Sequence, residues 1–247
     1  MELKRILSRL RKCVDDFDMI QDGDKIAVGL SGGKDSLTLL IALDALAKFY
    51  PKKFEVIAIS LDLGFDKLDE PLYADAEKVA EVERLCAEKS IQLIIKPTDI
   101  AKILFDIRKE KNPCSLCAKM RRGALNTLAK ELGCNKVALG HHNEDAVETF
   151  FLSLFYEGRI GCFKPVTHLS NIDLHVIRPL LYVSEDYTIG YAKSANLPIV
   201  HNPCPADGYT KRQTMKEFVR DKTREDESFK MRVTGAIRKD IWGTTEV

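Results

Sequence analysis

A short glycine-rich segment near the amino terminus carries the residue types that bind phosphates. It reads Ser31-Gly32-Gly33-Lys34-Asp35-Ser36 and lies between an apolar run of strand length and a helical pattern. Glycines let the backbone approach an anion closely, and the helix that follows offers unpaired N–H groups and a favourable dipole. The two serine hydroxyls add donors, and Asp35 could hold Mg²⁺ against the phosphates. A tight turn with a serine cap would explain the two glycines but not the whole hexapeptide.

Seven cysteines predict metal or redox chemistry rather than a disulfide framework, because their number is odd and a chain of 247 residues can bury a core without cross-links. Cys114 and Cys117 have ligand spacing, and Cys204 lies far downstream in a proline-containing loop. A C-x-x-C pair is compatible with a redox pair, zinc or an iron–sulfur cluster. Zinc would need a fourth ligand, for which His201 is the candidate. Three thiolates would instead leave one iron of a 4Fe–4S cube open to exogenous sulfide.

A second polar segment follows a predicted strand and opens a predicted helix. It reads Gly140-His141-His142-Asn143-Glu144-Asp145-Ala146-Val147-Glu148-Thr149. Acidic residues at a helix start are ordinary partners of the helix dipole, and Asn143 could be an N-cap. This accounts for Glu144 and Asp145 but not for two histidines directly after a strand.

The elements that must position these residues alternate along the chain. Apolar runs predict strands over 25–30, 54–61, 91–95, 136–139 and 174–178. Helical periodicity predicts helices over 1–20, 35–49, 71–89, 98–110, 118–132, 144–156 and 184–195, with a loop over 198–208 and a charged helical tail from 210. In the first helix, Leu3, Ile6, Leu7, Leu10 and Val14 share one stripe. The cysteine pair is expected to precede the helix that starts at 118.

Strands separated by helices of this length predict an α/β fold with an open, mostly parallel, Rossmann-like sheet and helical extensions at both ends. The predicted division is an N-terminal helix over 1–21, a nucleotide-binding domain with the cysteine site over 22–205 and a helical tail over 206–247. Ligands of such sheets bind beyond the carboxyl ends of the strands. The glycine loop, the acidic segment and Leu61, which ends the second strand, are therefore expected at one edge.

Composition narrows the function classes further. Lys and Arg number 38 against 37 Asp and Glu, a formal charge of +1, and 45% of residues are hydrophobic. These values exclude a disordered chain and a strongly basic coat for indiscriminate nucleic-acid binding. No apolar run approaches the ~18 residues of a membrane span, and the first residues lack the apolar core of a signal peptide. The expectation is a cytoplasmic protein without membrane contact.

The two polar segments resemble signatures of the PP-loop ATP pyrophosphatases, SGGxDS and GHHxDDxxET. The resemblance implies that residues 31–36 bind the pyrophosphate of ATP, with Gly140 and His141 nearby. It also implies that the backbone at Leu61 holds the adenine. Mg²⁺ would be held by Asp35 and Asp145, since Glu144 replaces the first aspartate of the usual pair. Enzymes of this superfamily attach AMP to a carbonyl or carboxyl oxygen, which then leaves as AMP when a nucleophile attacks.

From about residue 20 to 218 the chain is similar to the tRNA 2-thiocytidine synthetase family. The shared features are the loop, PCxxC before a basic helix, the acidic segment, an IRPL segment (Ile177–Leu180) and a downstream cysteine. The resemblance implies ATP-dependent thiolation of a tRNA pyrimidine, with cytidine C2 as the target and a 4Fe–4S cluster on Cys114, Cys117 and Cys204. A separate protein, such as a cysteine desulfurase, would supply the sulfide. The family often has a second PCxxC downstream, whereas Asp207 stands at its last position here.

Local basic runs near the active edge are the candidates for RNA binding. They are Lys119, Arg121 and Arg122 after the cysteine pair, and Lys211 and Arg212 after the third cysteine. The first helix could be a homodimer contact, although its stripe could equally pack on its own core. The alternatives are thiolation of uridine or of a non-tRNA substrate, a lysidine-type ligase with a structural zinc, and a nucleotide-binding sensor without catalysis.

Overall fold

One six-stranded sheet forms the centre of the computed structural model, which describes residues 2–201, 203–206 and 211–244. Its strands are β1 (Asp24–Gly29), β2 (Phe54–Asp62), β3 (Leu93–Pro97), β4 (Lys136–Ala138), β5 (Val166–Leu169) and β6 (Leu174–Ile177). They are ordered β3-β2-β1-β4-β6-β5, and only the β5–β6 pair is antiparallel. The predicted α/β class and mostly parallel sheet are confirmed.

Helices cover both faces of this sheet, as parallel strands require. Within the described residues they are α1 (Leu3–Asp16), α2 (Lys34–Ala47), α3 (Ala76–Glu88), α4 (Ile100–Lys102), α5 (Pro113–Glu131), α6 (Asn143–Glu157), α7 (Glu185–Ser194), α8 (Lys211–Glu225) and α9 (Phe229–Ala236). Short 3-10 turns occupy Phe65–Lys67 and Pro179–Tyr182, and π-helical turns extend α4 over Ile103–Ile107 and α9 over Ile237–Trp242. No helix of the described segments is long and apolar enough to cross a bilayer.

The direction of the chain reverses at the middle of the sheet. From β1 it builds outward through β2 and β3, and it then returns to place β4 on the other side of β1. Val28 of β1 lies in register with Ala58 of β2 and Ala138 of β4. The carboxyl ends of β1 and β4 are therefore adjacent at the switch point, where open α/β sheets bind ligands.

The amphipathic stripe of α1 packs on the molecule itself. Ile6, Leu10 and Val14 are fully buried in the main core, and Leu3 and Leu7 pack against that core partly exposed. The helix contacts α2, α7 and the turn 179–182. The predicted stripe is confirmed, and its apolar residues are used inside the fold.

Two predicted helix starts are wrong. The helix expected from 71 begins at Ala76, because the Asp75 carboxylate accepts hydrogen bonds from the backbone N–H groups of Glu77 and Lys78. The helix expected from 118 begins at Pro113, which suits the first helical position since its missing N–H would be unpaired there. The cysteine pair therefore lies inside the first turns of α5 and does not precede it.

Strand β5 was not predicted. Its four residues pair with β6 alone at the edge of the sheet, and the side chain of His168 is exposed between partly buried neighbours. A run this short and mixed in polarity has no clear periodicity. It forms a strand because the short connection to β6 lets the two segments pair in an antiparallel ladder.

A buried ion pair joins the amino-terminal ends of β1 and β4. Lys136 Nζ lies 2.7 Å from Asp24 Oδ2 and donates to the Met19 carbonyl, also at 2.7 Å. Both side chains are almost fully buried. The Asp24 carboxylate also accepts from Asn135 Nδ2 at 2.7 Å and from the Gln21 N–H at 2.6 Å. Such a network is stable only while every charge keeps its partner.

Replacing Lys136 with methionine is expected to lower the free energy of unfolding by about 3–5 kcal/mol, because it leaves the Asp24 carboxylate buried without its counter-charge. Urea denaturation measures the loss. Lys25→Met is the matched control, since Lys25 forms only an exposed pair with Glu55 at 3.7 Å and should change stability by about 0.5 kcal/mol or less. Equal losses in the two variants would contradict a structural role for the buried pair.

Candidate functional site

The glycine loop connects β1 to α2 and is held open by its own serines. The Ser36 hydroxyl donates to the Gly33 carbonyl at 2.9 Å and accepts from the Ser31 N–H at 3.2 Å. Ser31 Oγ accepts from the Gly33 N–H at 3.4 Å. No side chain caps α2, whose first turn follows Gly33. The helix therefore presents its N–H groups and positive dipole end to the loop, as an anion site requires.

Two glycines are needed at this edge for close packing. Gly32 has φ +78°, and a Cβ there would lie 2.9 Å from Val200 Cβ. The Val200 N–H also donates to the Gly32 carbonyl at 3.0 Å. A Cβ on Gly140 would lie 3.1 Å from the carbonyl carbon of Asp35 and from the Ser36 nitrogen. The acidic segment thus touches the start of α2 through bare backbone.

Asp35 is held from two sides in the first turn of α2. Its Oδ1 accepts a hydrogen bond from Thr188 Oγ1 of α7 at 2.6 Å, and its Oδ2 lies 2.8 Å from Lys34 Nζ. Lys34 Nζ also lies 3.0 Å from Glu185 Oε1. Burial lowers the pKa of Lys34, but these two carboxylates outweigh it and leave the pKa raised. Lys34 is therefore a positively charged side chain that two carboxylates hold in place beside the glycine loop.

His142 lies buried among the carboxylates of the acidic segment. Its Nδ1 is 3.2 Å from Glu144 Oε2, its Nε2 is 3.5 Å from Asp145 Oδ2, and Asp35 lies 4.0 Å away. Burial lowers the pKa of His142, but Glu144, Asp145 and Asp35 outweigh it and raise the pKa above its usual value. Burial raises the pKa of Glu144, but hydrogen bonds and charges from His142 and Lys230 lower it more. The pKa of Glu144 is therefore about 2.

The carboxylate of Asp145 caps the start of α6 and also pairs with the C-terminal helix α8. Its Oδ2 accepts from the His142 N–H at 2.9 Å, and its Oδ1 lies 2.9 Å from Arg212 Nη2. Asp145 and Asp35 therefore approach the same imidazole from the two polar segments. Two carboxylates at a phosphate loop are the oxygen ligands that Mg²⁺ prefers.

Helices α8 and α9 add cations to this edge. Arg212 Nε lies 3.4 Å from Glu148 Oε2, and Lys216 Nζ lies 2.7 Å from Glu185 Oε1. Lys230 of α9 pairs with Glu144. The predicted RNA contact Arg212 is thus directed at the acidic segment, and Lys211 lies over the ring of Tyr156, 4.5 Å from its centroid.

The ring of His141 packs against an aromatic side chain. Its ring centroid lies 4.9 Å from that of Phe163, and the Arg178 guanidinium lies 5.0 Å from the same Phe163 ring. Burial lowers the pKa of His141 to about 4, so its imidazole is neutral at pH 7. Burial, together with the charge of Arg122 on α5, also lowers the pKa of Arg178 to about 10.

The three predicted cysteine ligands lie close enough to interact. Cys114 is exposed at the start of α5, Cys117 is half-buried one turn later, and Cys204 packs against the apolar cluster of Phe65 and Leu68. Burial raises the pKa of Cys117, charges on Cys204 and Cys114 raise it further, and Arg121 lowers it. Three thiols with a nearby cation are the donor chemistry of iron–sulfur ligation, so the residues fit such a group.

Ligand geometry is not assembled at these cysteines. Across residues 2–201, 203–206 and 211–244, no three His, Cys, Asp or Glu side chains are arranged to hold a metal ion. His201, the candidate fourth zinc ligand, is exposed, and Asp207 lies outside the described residues. Cys13, Cys86 and Cys134 are buried apart from this group, as small apolar residues.

The other predicted site residues lie around the same edge. Leu61 is half-buried near the carboxyl end of β2, the strand next to β1. On α5, Arg121 is half-buried beside Cys117, Lys119 is exposed, and Arg122 donates from Nε to the Ala118 carbonyl at 3.1 Å.

Sequence reasoning missed several contacts of this site. Thr188 and Glu185 lie 153 and 150 residues from Asp35 and 36 or more from the acidic segment, in a helix with no motif of its own. Arg178 was visible only as part of the IRPL segment, and nothing marked Phe163 or Lys230. Their roles come from packing between distant elements.

Comparison with known proteins points to one family. A family model described as a PP-loop domain matches residues 3–232. The tRNA-cytidine(32) 2-sulfurtransferase of Geobacter sulfurreducens is 36% identical over 237 residues, which cover 95% of this chain and 89% of that protein. The protein of the same name from Cupriavidus necator is 37% identical over 238 residues, covering 96% of this chain and 73% of that one.

A solved structure shares the fold. The U34-tRNA thiolase NcsA from Methanococcus maripaludis, determined with its 4Fe-4S cluster, superposes with a TM-score of 0.75 at 23% identity. The match covers 97% of this chain and 80% of that one. At this identity the likeness concerns the arrangement of helices and strands.

Replacing Glu144 with glutamine is expected to lower the titration midpoint of His142, because the burial that opposes its charge remains while the nearest carboxylate charge is gone. The ring C–H signals in proton NMR of the metal-free protein report the midpoint. Glu157→Gln, which alters an exposed pair with Arg159 away from His142, should leave it unchanged.

The same variant predicts a stability difference that depends on pH. A histidine with a raised folded pKa stabilises the fold fully below its unfolded pKa, and this is lost as pH rises through the folded value. The stability advantage of the wild type over Glu144→Gln should therefore be larger at pH 6 than at pH 9. Two results together would contradict this arrangement of charges around His142. They are an unchanged His142 midpoint in Glu144→Gln and a stability difference that is equal at pH 6 and pH 9.

Proposed function

Since the chain belongs to the PP-loop family of tRNA-cytidine(32) 2-sulfurtransferases, we propose that it uses ATP to replace an oxygen of a tRNA cytidine with sulfur. The observation that carries this proposal is the contact of Gly140 with the start of α2. It joins a phosphate loop to an acidic segment at the switch point of the sheet, beside a helix that begins with the cysteine pair.

ATP binding is assigned to the loop and its neighbours. The N–H groups at the start of α2, the Ser31 and Ser36 hydroxyls and Lys34 would bind the phosphates. Asp35 and Asp145 would hold Mg²⁺, whose charge would replace that of Lys34 at Asp35 and leave the lysine for the phosphates. Gly140 and His141 would lie beside the nucleotide, and the Leu61 backbone would contact the adenine.

The first chemical step turns a poor leaving group into a good one. The cytosine O2 attacks the α-phosphorus of ATP, a P–O bond forms, and the bond to pyrophosphate breaks. Fixed cations at the loop favour this step, because charge builds on the departing pyrophosphate in a site where they need no reorganisation. The base is then an adenylate whose C2 is open to a nucleophile.

The second step puts sulfur at C2. Hydrosulfide attacks C2, the C2–O bond breaks, AMP leaves with the oxygen, and the sulfur proton is lost. Cys114, Cys117 and Cys204 would hold a 4Fe–4S cluster through their thiolates. When bound, that cluster would supply the sulfur. Arg121 would offset part of the negative charge of the thiolates, since it already lowers the pKa of Cys117.

The remaining partners follow from this chemistry. The RNA substrate would contact the basic residues around the edge, among which Lys119 is exposed. A cysteine desulfurase or another sulfide source would provide the sulfur, and the reaction would take place in the cytoplasm. A homodimer is also proposed for the working enzyme.

Replacing Gly32 with alanine is expected to raise the Kd for Mg²⁺-ATP at least tenfold, because the added Cβ meets Val200 and moves the loop. Gly23→Ala is the matched control: Gly23 has φ +82° but open space around it. Both variants carry the left-handed backbone cost of about 1–2 kcal/mol. Isothermal titration with ATP measures binding, and equal effects in the two variants would remove the loop from the nucleotide site.

Replacing any one of Cys114, Cys117 and Cys204 with serine is expected to abolish the 4Fe–4S cluster and 2-thiocytidine formation, while ATP binding persists. Iron and acid-labile sulfide, about four each per chain in the anaerobically purified wild type, are measured beside tRNA nucleosides. Cys134→Ala, at a buried cysteine ahead of β4, should keep both. One zinc and no sulfide in the wild type would favour a ligase, and thiolated uridine would change the target base.

A further inference from the structure

The end of α6 and the turn after it form the most exposed apolar stretch of the described residues. All residues from 154 to 160 are exposed, and four of them are large and apolar: Leu154, Phe155, Tyr156 and Ile160. We call this stretch the 154–160 segment. Isolated exposed apolar side chains need no explanation, but a contiguous group marks an interaction site.

The segment is continuous with the catalytic edge. After Gly158 the chain folds back along α6, and the Cys162 thiol lies 3.4 Å from the Ala146 carbonyl. Phe163 then stacks on His141, at the start of the acidic segment. The 154–160 segment is thus the outer part of a loop whose inner end lines the proposed nucleotide site.

Helix α8 makes a second connection between the two. Its first residue, Lys211, lies over the ring of Tyr156, and its second, Arg212, pairs with Asp145. Neighbouring residues of α8 therefore connect the Tyr156 ring to Asp145. Cations lie close to the ring in space or in sequence: Lys211 and Lys164 are exposed, and Arg159 lies in the turn itself, paired with Glu157.

We propose that the 154–160 segment is a stacking surface for unpaired bases of the RNA loop that carries the target nucleotide. This inference rests on the proposed function, because it assumes an RNA substrate. Aromatic rings beside cations suit single-stranded RNA, whose bases stack on the rings while the phosphates meet the ammonium and guanidinium groups. The exposed cations Lys211 and Lys164 favour a polyanionic occupant over a purely apolar one.

Substitutions of Tyr156 test this surface most directly. Tyr156→Ala removes the ring and is expected to raise the Kd for a fluorescein-labelled anticodon stem–loop RNA about tenfold, while Tyr156→Phe keeps the ring and binds like the wild type. Phe49→Ala is the matched control: Phe49 is 53% exposed, against 52% for Phe155 and 46% for Tyr156, and it follows α2 at the opposite edge of the sheet. It should leave the RNA affinity unchanged.

Salt and duplex RNA separate stacking from charge. Lys211→Gln should make the slope of log Kd against log salt shallower by about one phosphate contact, whereas Tyr156→Ala should leave the slope unchanged. Neither aromatic variant should affect a blunt RNA duplex, which offers no unstacked base. Fluorescence anisotropy provides all three measurements on the full chain.

Three results would overturn the proposal in different ways. Wild-type affinity in Tyr156→Ala would show that the segment does not contact the RNA. If that variant also changes from dimer to monomer in light scattering, the segment is an interface between copies of the chain. A wild type that binds no tRNA would overturn the proposed function itself, whereas a wild type that binds tRNA with an insensitive Tyr156→Ala would overturn only this inference.

Discussion

The close approach of two backbones, at Gly140 and at Asp35–Ser36, is the constraint on which the site depends. β1 and β4 are neighbours in the sheet, so the segments that leave their carboxyl ends must share the same small space. A side chain at residue 140 would put a Cβ 3.1 Å from the first turn of α2 and separate the segments. Because residue 140 is glycine, the carboxylates of Asp35 and Asp145 both approach the His142 imidazole. The glycine loop and the acidic segment therefore lie together at one edge.

Charge balance is the second condition of this arrangement. Asp35, Glu144, Asp145, Glu148 and Glu185 lie together at an edge that is partly buried, and five carboxylates in that setting repel one another strongly. Cations from four elements offset them: Lys34, His142, Arg212, Lys216 and Lys230. Three of these come from α8 and α9. The C-terminal helices, which look like a solvated tail in the sequence, are thus part of the electrostatics of the site.

Features that depend on residues close together in the sequence could be predicted from it, whereas features that depend on contacts between distant residues could not. The glycine loop, the stripe of α1 and the alternation of strands and helices were predictable, because apolar periodicity and turn residues act within a few positions. The predicted start of α5 at 118 is five residues late, because the periodicity is clear only after the cysteine pair whereas Pro113 already suits a first helical position. The hydrogen bond from Thr188 to Asp35 and the pairing of Arg212 with Asp145 join elements far apart in sequence. No local pattern encodes such contacts.

The distance between the two halves of the proposed chemistry also follows from the fold. Helix α5 carries Cys114 at its start and Arg122 two turns later, about 12 Å along the axis. The charge of Arg122 acts on Arg178, which lies on the same Phe163 ring as His141 of the acidic segment. One rigid helix therefore sets the separation between the thiols and the nucleotide edge. In the proposed reaction, the base that is adenylated at that edge would meet sulfur supplied from the cysteine side of this helix.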